Sequence, residues 1–228
     1  MDKIKVINIQ KRVYANNDEE AKILRQDLEK NKTFVMNLMS SPGSGKTTML
    51  VNTINRLKEK LKIAIIEADV DSDVDAYTIL NETGVTVNQL HSGGMCHLDC
   101  GMAKEGLEDI DYKNYDFIVI ENIGNLICPA SYDLGQALNT MILSVPEGDD
   151  KPLKYPKMFT KVDCLLVSKI DTVTVFDFDF NALEARVRKL NPNIKIFPIS
   201  AKTNEGIDDW CNFLLERINN FKMTENKQ

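Results

Sequence analysis

Seven short apolar segments, most of them followed by a stretch of helical periodicity, constrain the fold of this chain more than any other feature. They span residues 34–39, 62–68, 85–90, 116–122, 140–145, 163–169 and 195–200. Their apolar residues run continuously rather than alternating with polar ones, which is typical of strands buried on both faces. The pattern therefore predicts an α/β fold, a doubly wound and mostly parallel sheet with helices on both faces.

A glycine-rich loop follows the first of these strands, in "FVMNLMSSPGSGKTTML" (34–50). A glycine-rich turn between a strand and a helix, closed by Lys-Thr, is the Walker A phosphate loop of P-loop NTPases. Its glycines allow backbone N–H groups to point at phosphate oxygens, and the helix N-terminus adds partial positive charge. Ser40 stands where the general pattern has its first glycine. The predicted nucleotide-binding residues of the loop are Gly43, Ser44, Gly45, Lys46, Thr47 and Thr48.

Two later loops favour guanine as the base. "VSKID" (167–171) ends a predicted strand and resembles the N-K-x-D motif of GTPases, although Ser168 replaces the asparagine. An aspartate there accepts hydrogen bonds from guanine N1–H and the 2-amino group, which adenine does not offer. "PISAKTNEG" (198–206) resembles the loop that contacts guanine O6. The predicted base-binding residues are Lys169, Asp171, Ser200, Ala201 and Lys202.

Acidic residues at two strand ends predict a magnesium site. "EADVDSDVDA" follows the second strand, and Glu121 closes the strand "DFIVIEN". Carboxylates near a phosphate loop suit Mg²⁺, which prefers oxygen ligands. We expect Asp75 and Glu121 to serve this ion with Thr47, and Lys46, Asp75 and Glu121 to be the catalytic residues. For Asp69, Asp71 or Asp73 a solvated acidic loop is an equal alternative, and Asp75 could also be a helix cap.

The segment "GGMCHLDCGM" (93–102) combines two thiols and an imidazole. Thiolate and imidazole are ligands of Zn²⁺ and Ni²⁺, but a neighbouring Cys-His pair needs a third donor. Cys128 follows a neighbouring strand, and loops at one end of a parallel sheet converge. We therefore expect Cys96, His97 and Cys128 to form a metal site. Cys100 remains a possible fourth ligand or a core residue, and His91 is not assigned as a ligand.

Composition sets the limits on partners and location. The net charge of −6 excludes a general nucleic-acid binder. No apolar run reaches the length of a signal peptide or membrane span, so we expect no membrane association and a cytoplasmic location. Five cysteines in a reducing compartment indicate core residues, metal ligands or reactive thiols rather than disulfides. Cys164 and Cys211 lie among apolar residues and are expected in the core.

The domain organisation follows from the helical patterns, which we predict over residues 17–31, 46–60, 75–84, about 98–110 and about 205–221. Asn17 or Asp18 is the expected N-cap of the first helix. The expected organisation is an N-terminal extension with a helix packed on the domain (1–33), a P-loop GTPase domain (34–222) and a frayed tail (223–228).

Four segments together resemble the HypB family of hydrogenase nickel-incorporation GTPases: "MSSPGSGKTTML", "CHLDCGM", "IENIGNLICPASYDLG" and "SVPEGDDKPLKYPKMF". The resemblance covers about residues 15–220. It implies a dimeric GTPase of the SIMIBI class that uses GTP and Mg²⁺ and assists nickel delivery to the hydrogenase large-subunit precursor, together with a companion nickel-binding accessory protein. It implies that Lys46 and Thr47 bind phosphate and magnesium, that Asp75 and Glu121 are the switch-region acids, and that Asp171 recognises guanine. It also implies that Cys96, His97 and Cys128 bind nickel or zinc at the dimer interface.

Two alternatives remain open. A urease-accessory GTPase has a similar phosphate loop but lacks the "GNLICPASYDLG" and "KPLKYP" patterns. A P-loop small-molecule kinase or ATPase with structural cysteines would carry an arginine-rich lid, yet Arg56 is the only arginine between the phosphate loop and residue 185.

Overall fold

The computed structural model describes residues 9–224, with side chains described from residue 16 onwards. Seven strands form one sheet in the order β3-β2-β4-β1-β5-β6-β7, and every neighbouring pair is parallel. The strands are β1 (Phe34–Ser40), β2 (Ile63–Asp69), β3 (Thr86–His91), β4 (Phe117–Glu121), β5 (Leu138–Ser144), β6 (Cys164–Ser168) and β7 (Lys195–Pro198). All seven predicted strands are present.

Helices cover both faces of this sheet. They are α1 (Ile9–Asn31), α2 (Lys46–Leu57), α3 (Val74–Thr83), α4 (Cys100–Asp109), α5 (Lys151–Lys154), α6 (Pro156–Lys161), α7 (Phe180–Leu190) and α8 (Ile207–Met223). One core layer joins α2, α3 and α8 to the sheet, a second joins α1 and α4, and a third joins α6 and α7. The predicted doubly wound fold is confirmed; α5, α6 and α7 were not predicted.

The central strands explain why the apolar runs are continuous. Every residue of β1 and of β4 is buried, because each strand has a neighbour on both edges and helices over both faces. β1 lies between β4 and β5: the chain runs from β1 to β2 on one side of it, whereas the connection from β4 crosses to β5 on the other side. Ligands of open α/β sheets bind at the carboxyl ends of the strands beside such a reversal.

The N-terminal helix differs from its prediction. It begins at Ile9, so Asn17 and Asp18 lie in its middle and the expected N-cap is wrong. The local signal was misleading because the buried Asn17 side chain makes tertiary hydrogen bonds, which a local pattern does not reveal. α1 packs on the domain through Ala21, Leu24 and Leu28.

At the other end, α8 extends through Met223, the first residue of the predicted tail. Residues 1–8 and 225–228, which include parts of the predicted extension and tail, lie outside the described residues. Among the helices of residues 9–224, none combines the length and apolar character needed to cross a membrane.

Candidate functional site

The phosphate loop joins β1 to α2, as its motif predicts. Gly43 has a φ of +74° and Gly45 a φ of +94°, a left-handed conformation that favours glycine. Lys46 begins α2, and its Nζ lies 3.0 Å from Ser40 Oγ and 3.9 Å from Glu121 Oε1. Ser40, at the position of the missing glycine, is buried and also contacts Ser44 Oγ at 2.8 Å. Its hydroxyl therefore anchors the loop from inside.

A cavity of about 300 Å³ opens beside this loop. The predicted nucleotide-binding residues that line it are Ser44, Gly45, Thr48, Lys169, Asp171, Ala201 and Lys202. Ser200 lies behind them, buried, and its hydroxyl donates to Asp171 Oδ1 at 2.7 Å. The phosphate loop and the two predicted base loops thus surround one cavity.

Ser168, which replaces the usual asparagine, holds the two parts of this cavity together. Its hydroxyl donates to the Ser44 backbone carbonyl at 2.7 Å, and Lys169 Nζ donates to the Gly43 carbonyl at 2.8 Å. Both contacts join the base loop to the phosphate loop. Ser168 is therefore a structural link within the cavity wall.

Three carboxylates meet at the ends of β2 and β4. Oxygen atoms of Glu67, Asp75 and Glu121 all lie within 4.8 Å of one another. Glu67 and Glu121 are buried, and Glu67 Oε2 and both oxygens of Glu121 have no hydrogen-bond partner. Burial raises the pKa of Glu121 to about 8 and that of Glu67 to about 7. Buried carboxylate oxygens without hydrogen bonds fit a divalent cation with oxygen ligands.

Glu67 is a member of this cluster that sequence reasoning did not single out. It pairs directly with Glu121 in the register of β2 and β4, and this register is not visible in the sequence. Asp69, Asp71 and Asp73 are outside the cluster. Asp69 Oδ1 accepts the backbone N–H groups of Asp71 and Ser72, which makes it part of a local turn.

The predicted metal ligands come together at the same end of the sheet. Cys96 Sγ lies 3.0 Å from Cys128 Sγ and 3.7 Å from His97 Nδ1. Cys96 is exposed, whereas His97 and Cys128 are half-buried. Burial lowers the pKa of His97, which favours the neutral imidazole that binds metals. The three side chains form an accessible group of two sulfur donors and one nitrogen donor.

The remaining thiols and His91 stand apart from this group. Cys100 is buried in the core layer of α1 and α4, and burial raises its pKa to about 11. Burial raises the pKa of Cys164 to about 12 and that of Cys211 to about 11. His91 is exposed at the end of β3. The geometry thus favours core positions for all three thiols and gives neither Cys100 nor His91 a place in the group.

Two neighbours of the group were missed by sequence reasoning. Asn125 Oδ1 accepts the backbone N–H groups of Ile127 at 2.8 Å and Cys128 at 3.4 Å, and its Nδ2 donates to the Cys96 carbonyl at 3.4 Å. An asparagine three residues before the cysteine is a recognisable signal for such a turn. Tyr132 stacks on the His97 ring with centroids 3.9 Å apart, and no local signal predicts this contact between distant segments.

Comparisons with known proteins agree with this architecture. A family model described as "CobW/HypB/UreG, nucleotide-binding domain" matches residues 34–198. Hydrogenase maturation factor HypB of Azotobacter chroococcum mcd 1 is 43% identical over 206 residues, which cover 90% of this chain and 67% of that protein. Hydrogenase/urease maturation factor HypB of Helicobacter pylori (strain ATCC 700392 / 26695) is 41% identical over 218 residues, which cover 93% and 88%. The crystal structure of HypB from Helicobacter pylori in complex with nickel superimposes with a TM-score of 0.84 at 41% identity, covering 92% of this chain and 99% of that one.

Proposed function

The chain belongs to the CobW/HypB/UreG family and to its HypB group of hydrogenase maturation factors, and from this premise we propose that it is a GTP-hydrolysing nickel metallochaperone. In this role it assists nickel insertion during the maturation of nickel–iron hydrogenase. Nucleotide-dependent dimerisation couples the GTPase to the metal. The observation that carries the proposal is the accessible Cys96, His97 and Cys128 group at the same sheet edge as the phosphate loop.

The hydrolytic half of the proposal rests on the phosphate loop and the carboxylate cluster. Lys46 leaves its contacts with Ser40 and Glu121 to neutralise the phosphates of GTP. Thr47, Asp75 and Glu121 hold Mg²⁺ directly or through water, and Glu67 supports them as a buried carboxylate. The ion would neutralise the negative charge that these buried carboxylates bring together.

Guanine selection is assigned to Asp171, which lines the cavity and whose Oδ1 is fixed by Ser200. A fixed carboxylate can accept two hydrogen bonds from guanine without first losing side-chain freedom. Lys169 and the loop of Ala201 and Lys202 enclose the rest of the base. GTP is therefore the expected substrate, and GDP the expected product with phosphate.

Nickel is the proposed cargo, and zinc the competing ion. Three protein donors leave at least one coordination position open, unlike a closed structural zinc site with four protein ligands. A second copy of the chain that faces this loop could complete the shell, which supports the proposed homodimer. The target is the hydrogenase large-subunit precursor, a companion nickel-binding protein supplies or receives the ion, and the setting is the cytoplasm.

One of the two alternatives is weakened by a particular observation, and the other overlaps with the proposal. Cysteines with a purely structural role are buried, whereas Cys96 is exposed and lies 3.0 Å from a second thiol, which disfavours the kinase or ATPase reading. A urease-accessory role overlaps with the proposal, because the Helicobacter pylori relative is a hydrogenase/urease maturation factor. Metal delivery by a GTPase is common to both.

The proposal is tested by titrating reduced protein with Ni²⁺ and Zn²⁺ in three states: without nucleotide, with GDP, and with a non-hydrolysable GTP analogue. Sedimentation follows the mass in each state. If a nucleotide changes the affinity for metal by some factor, bound metal must change the affinity for that nucleotide by the same factor. Equal metal affinity and equal mass in all three states would reject coupled delivery, and absent metal binding would reject the metallochaperone.

A further inference from the structure

The N-terminal helix contacts both chain segments that carry the candidate metal ligands. Asn17, in the middle of α1, has only 6% of its surface exposed. Its Nδ2 donates to the backbone carbonyl of Asp133 at 2.9 Å, and its Oδ1 accepts the backbone N–H of Cys100 at 2.8 Å. Cys100 follows Cys96 by four residues and Asp133 follows Cys128 by five. One buried amide therefore joins the two segments.

The Cys100 end of this bridge satisfies a helix terminus. Cys100 is the first residue of α4, and the first N–H groups of a helix have no partner within it. Asp99 accepts the N–H of Met102 as the N-cap, and Asn17 accepts that of Cys100. The start of α4, which directly follows Cys96 and His97, is thus held from two sides.

The Asp133 end is reinforced by a second side chain of the same helix. Arg25 Nη2 donates to both carboxylate oxygens of Asp133, at 2.5 and 2.7 Å. The backbone also approaches α1 closely at Gly135, where a Cβ atom would lie 3.1 Å from the Ala21 carbonyl. The segment that leaves Cys128 is therefore fixed against α1.

We propose that Asn17 is a positioning residue for the candidate metal centre: it sets the spacing between the segment of Cys96 and His97 and the segment of Cys128. The inference rests on the proposed function, which makes these three side chains the metal ligands. Without the Asn17 amide, the Cys100 N–H and the Asp133 carbonyl lose their common partner. The spacing of the two segments then depends on the long 3.4 Å bonds of Asn125 and on the stacking of Tyr132 on His97. Residues that orient metal ligands without touching the metal typically change metal affinity by about 10- to 100-fold.

Three variants of the full chain isolate this role. Asn17→Ala removes both hydrogen bonds. Asn17→Asp keeps the size and the acceptor for Cys100 but loses the donor to Asp133. Asn31→Ala is the matched control, because Asn31 is another amide of α1, and among residues 16–224 its side chain bonds only to Asp27 of the same helix.

Two readouts report on the site and one reports on the rest of the fold. Zn²⁺ affinity is measured by competition with a chromophoric chelator. In the metal-free protein, affinity for phenylarsine oxide reports the thiol spacing, because this arsenical bridges two nearby thiols, and Cys128→Ala gives its background. Affinity for GTP reports the integrity of the phosphate loop. For Asn17→Ala we expect Zn²⁺ affinity to fall about tenfold or more, arsenical affinity to fall as well, and GTP affinity to stay within about twofold.

The outcomes separate this inference from the proposed function. If the wild-type chain binds no Zn²⁺ or Ni²⁺, the metallochaperone proposal fails. If the wild type binds metal and Asn17→Ala binds Zn²⁺ and the arsenical equally well, the positioning role is overturned. It is also overturned if Asn17→Ala weakens GTP and metal binding alike, because Asn17 then acts only on global stability. The same holds if Asn31→Ala weakens metal binding as much as Asn17→Ala does, because the effect is then not specific to Asn17. Should Asn17→Ala fail to fold, Asn17→Asp decides by the same criteria.

Discussion

Gly124→Ala should weaken nucleotide binding, although Gly124 lies outside the phosphate loop. Gly124 belongs to the loop between Glu121 and Cys128, and it touches the phosphate loop at Pro42. A Cβ atom on Gly124 would lie 3.0 Å from Pro42 Cγ and 3.2 Å from the Pro42 backbone nitrogen. Carbon atoms pack best at about 3.5–4.0 Å, so the two loops must separate by about 0.5 Å.

The side that moves is decided by burial. Asn122 and Ile123, just before Gly124, are buried, and Asn122 is hydrogen-bonded to β1. Pro42 is exposed, so the phosphate loop yields more easily. Overpacking costs about 1–3 kcal/mol, and an exposed loop belongs at the lower end of that range. If displacing the phosphate-binding backbone costs about 1 kcal/mol of binding free energy, nucleotide affinity falls roughly fivefold.

The assay is equilibrium binding of a fluorescent GDP analogue, with urea unfolding of the same samples. Gly101→Ala is the control, because a Cβ atom there meets only Asp99 Oδ1 at 3.4 Å, an ordinary contact. We expect a roughly fivefold loss of nucleotide affinity for Gly124→Ala and none for Gly101→Ala. Unchanged nucleotide affinity in Gly124→Ala would refute the reasoning, because the two loops would then not be in tight contact.

Three further substitutions test the assigned residues, and a fourth, Cys164→Ala, serves as a control. Asp171→Ala should abolish the preference for GTP over ATP while phosphate binding persists, and a competition assay that still shows full discrimination would reject Asp171 as the guanine-reading residue. Lys46→Ala should eliminate hydrolysis of either nucleotide in a phosphate-release assay, because the charge that neutralises the phosphates is lost; near-normal turnover would contradict this. Cys128→Ala should remove Ni²⁺ and Zn²⁺ binding measured by equilibrium dialysis. Cys164→Ala should lower only the free energy of unfolding, by about 1–3 kcal/mol, because it shortens a fully buried side chain. If Cys128→Ala still binds metal, the third ligand lies elsewhere.

The sequence predicted the sheet well because the relevant signals are local. Strands such as β1 and β4 are buried on both faces, and this burial appears directly as an uninterrupted apolar run. The phosphate loop is equally local, since its glycines, Lys46 and Thr47 all lie within residues 43–47. The sequence also predicted a common site for Cys96, His97 and Cys128, because loops at one end of a parallel sheet lie close together. In the structure the three side chains are within reach of one another.

Features that depend on register or on distant packing could not be predicted in this way. Glu67 joins the carboxylate cluster because it pairs with Glu121 across two strands, and nothing in "EADVDSDVDA" distinguishes it from its acidic neighbours. Asparagine is a common helix-capping residue, and the Asn17 side chain does accept the N–H of a helix's first residue. That helix is α4, however, and not α1, which the sequence pattern predicted. A local pattern does not specify which helix a side chain will cap.

The loop from Glu121 to Cys128 is held by contacts at its start, in its middle and at its end. At its start, the Asn122 N–H bonds to the Leu38 carbonyl and its side chain bonds to Asn37 on β1. In its middle, Gly124 lies against the phosphate loop. At its end, Asn125 holds the Cys128 N–H and the Cys96 carbonyl. A flexible loop of this length would absorb a shift of a few tenths of an ångström, whereas a loop held at three points passes the shift on. We therefore expect part of a phosphate-loop movement on nucleotide exchange to reach Cys96 and Cys128 through this loop.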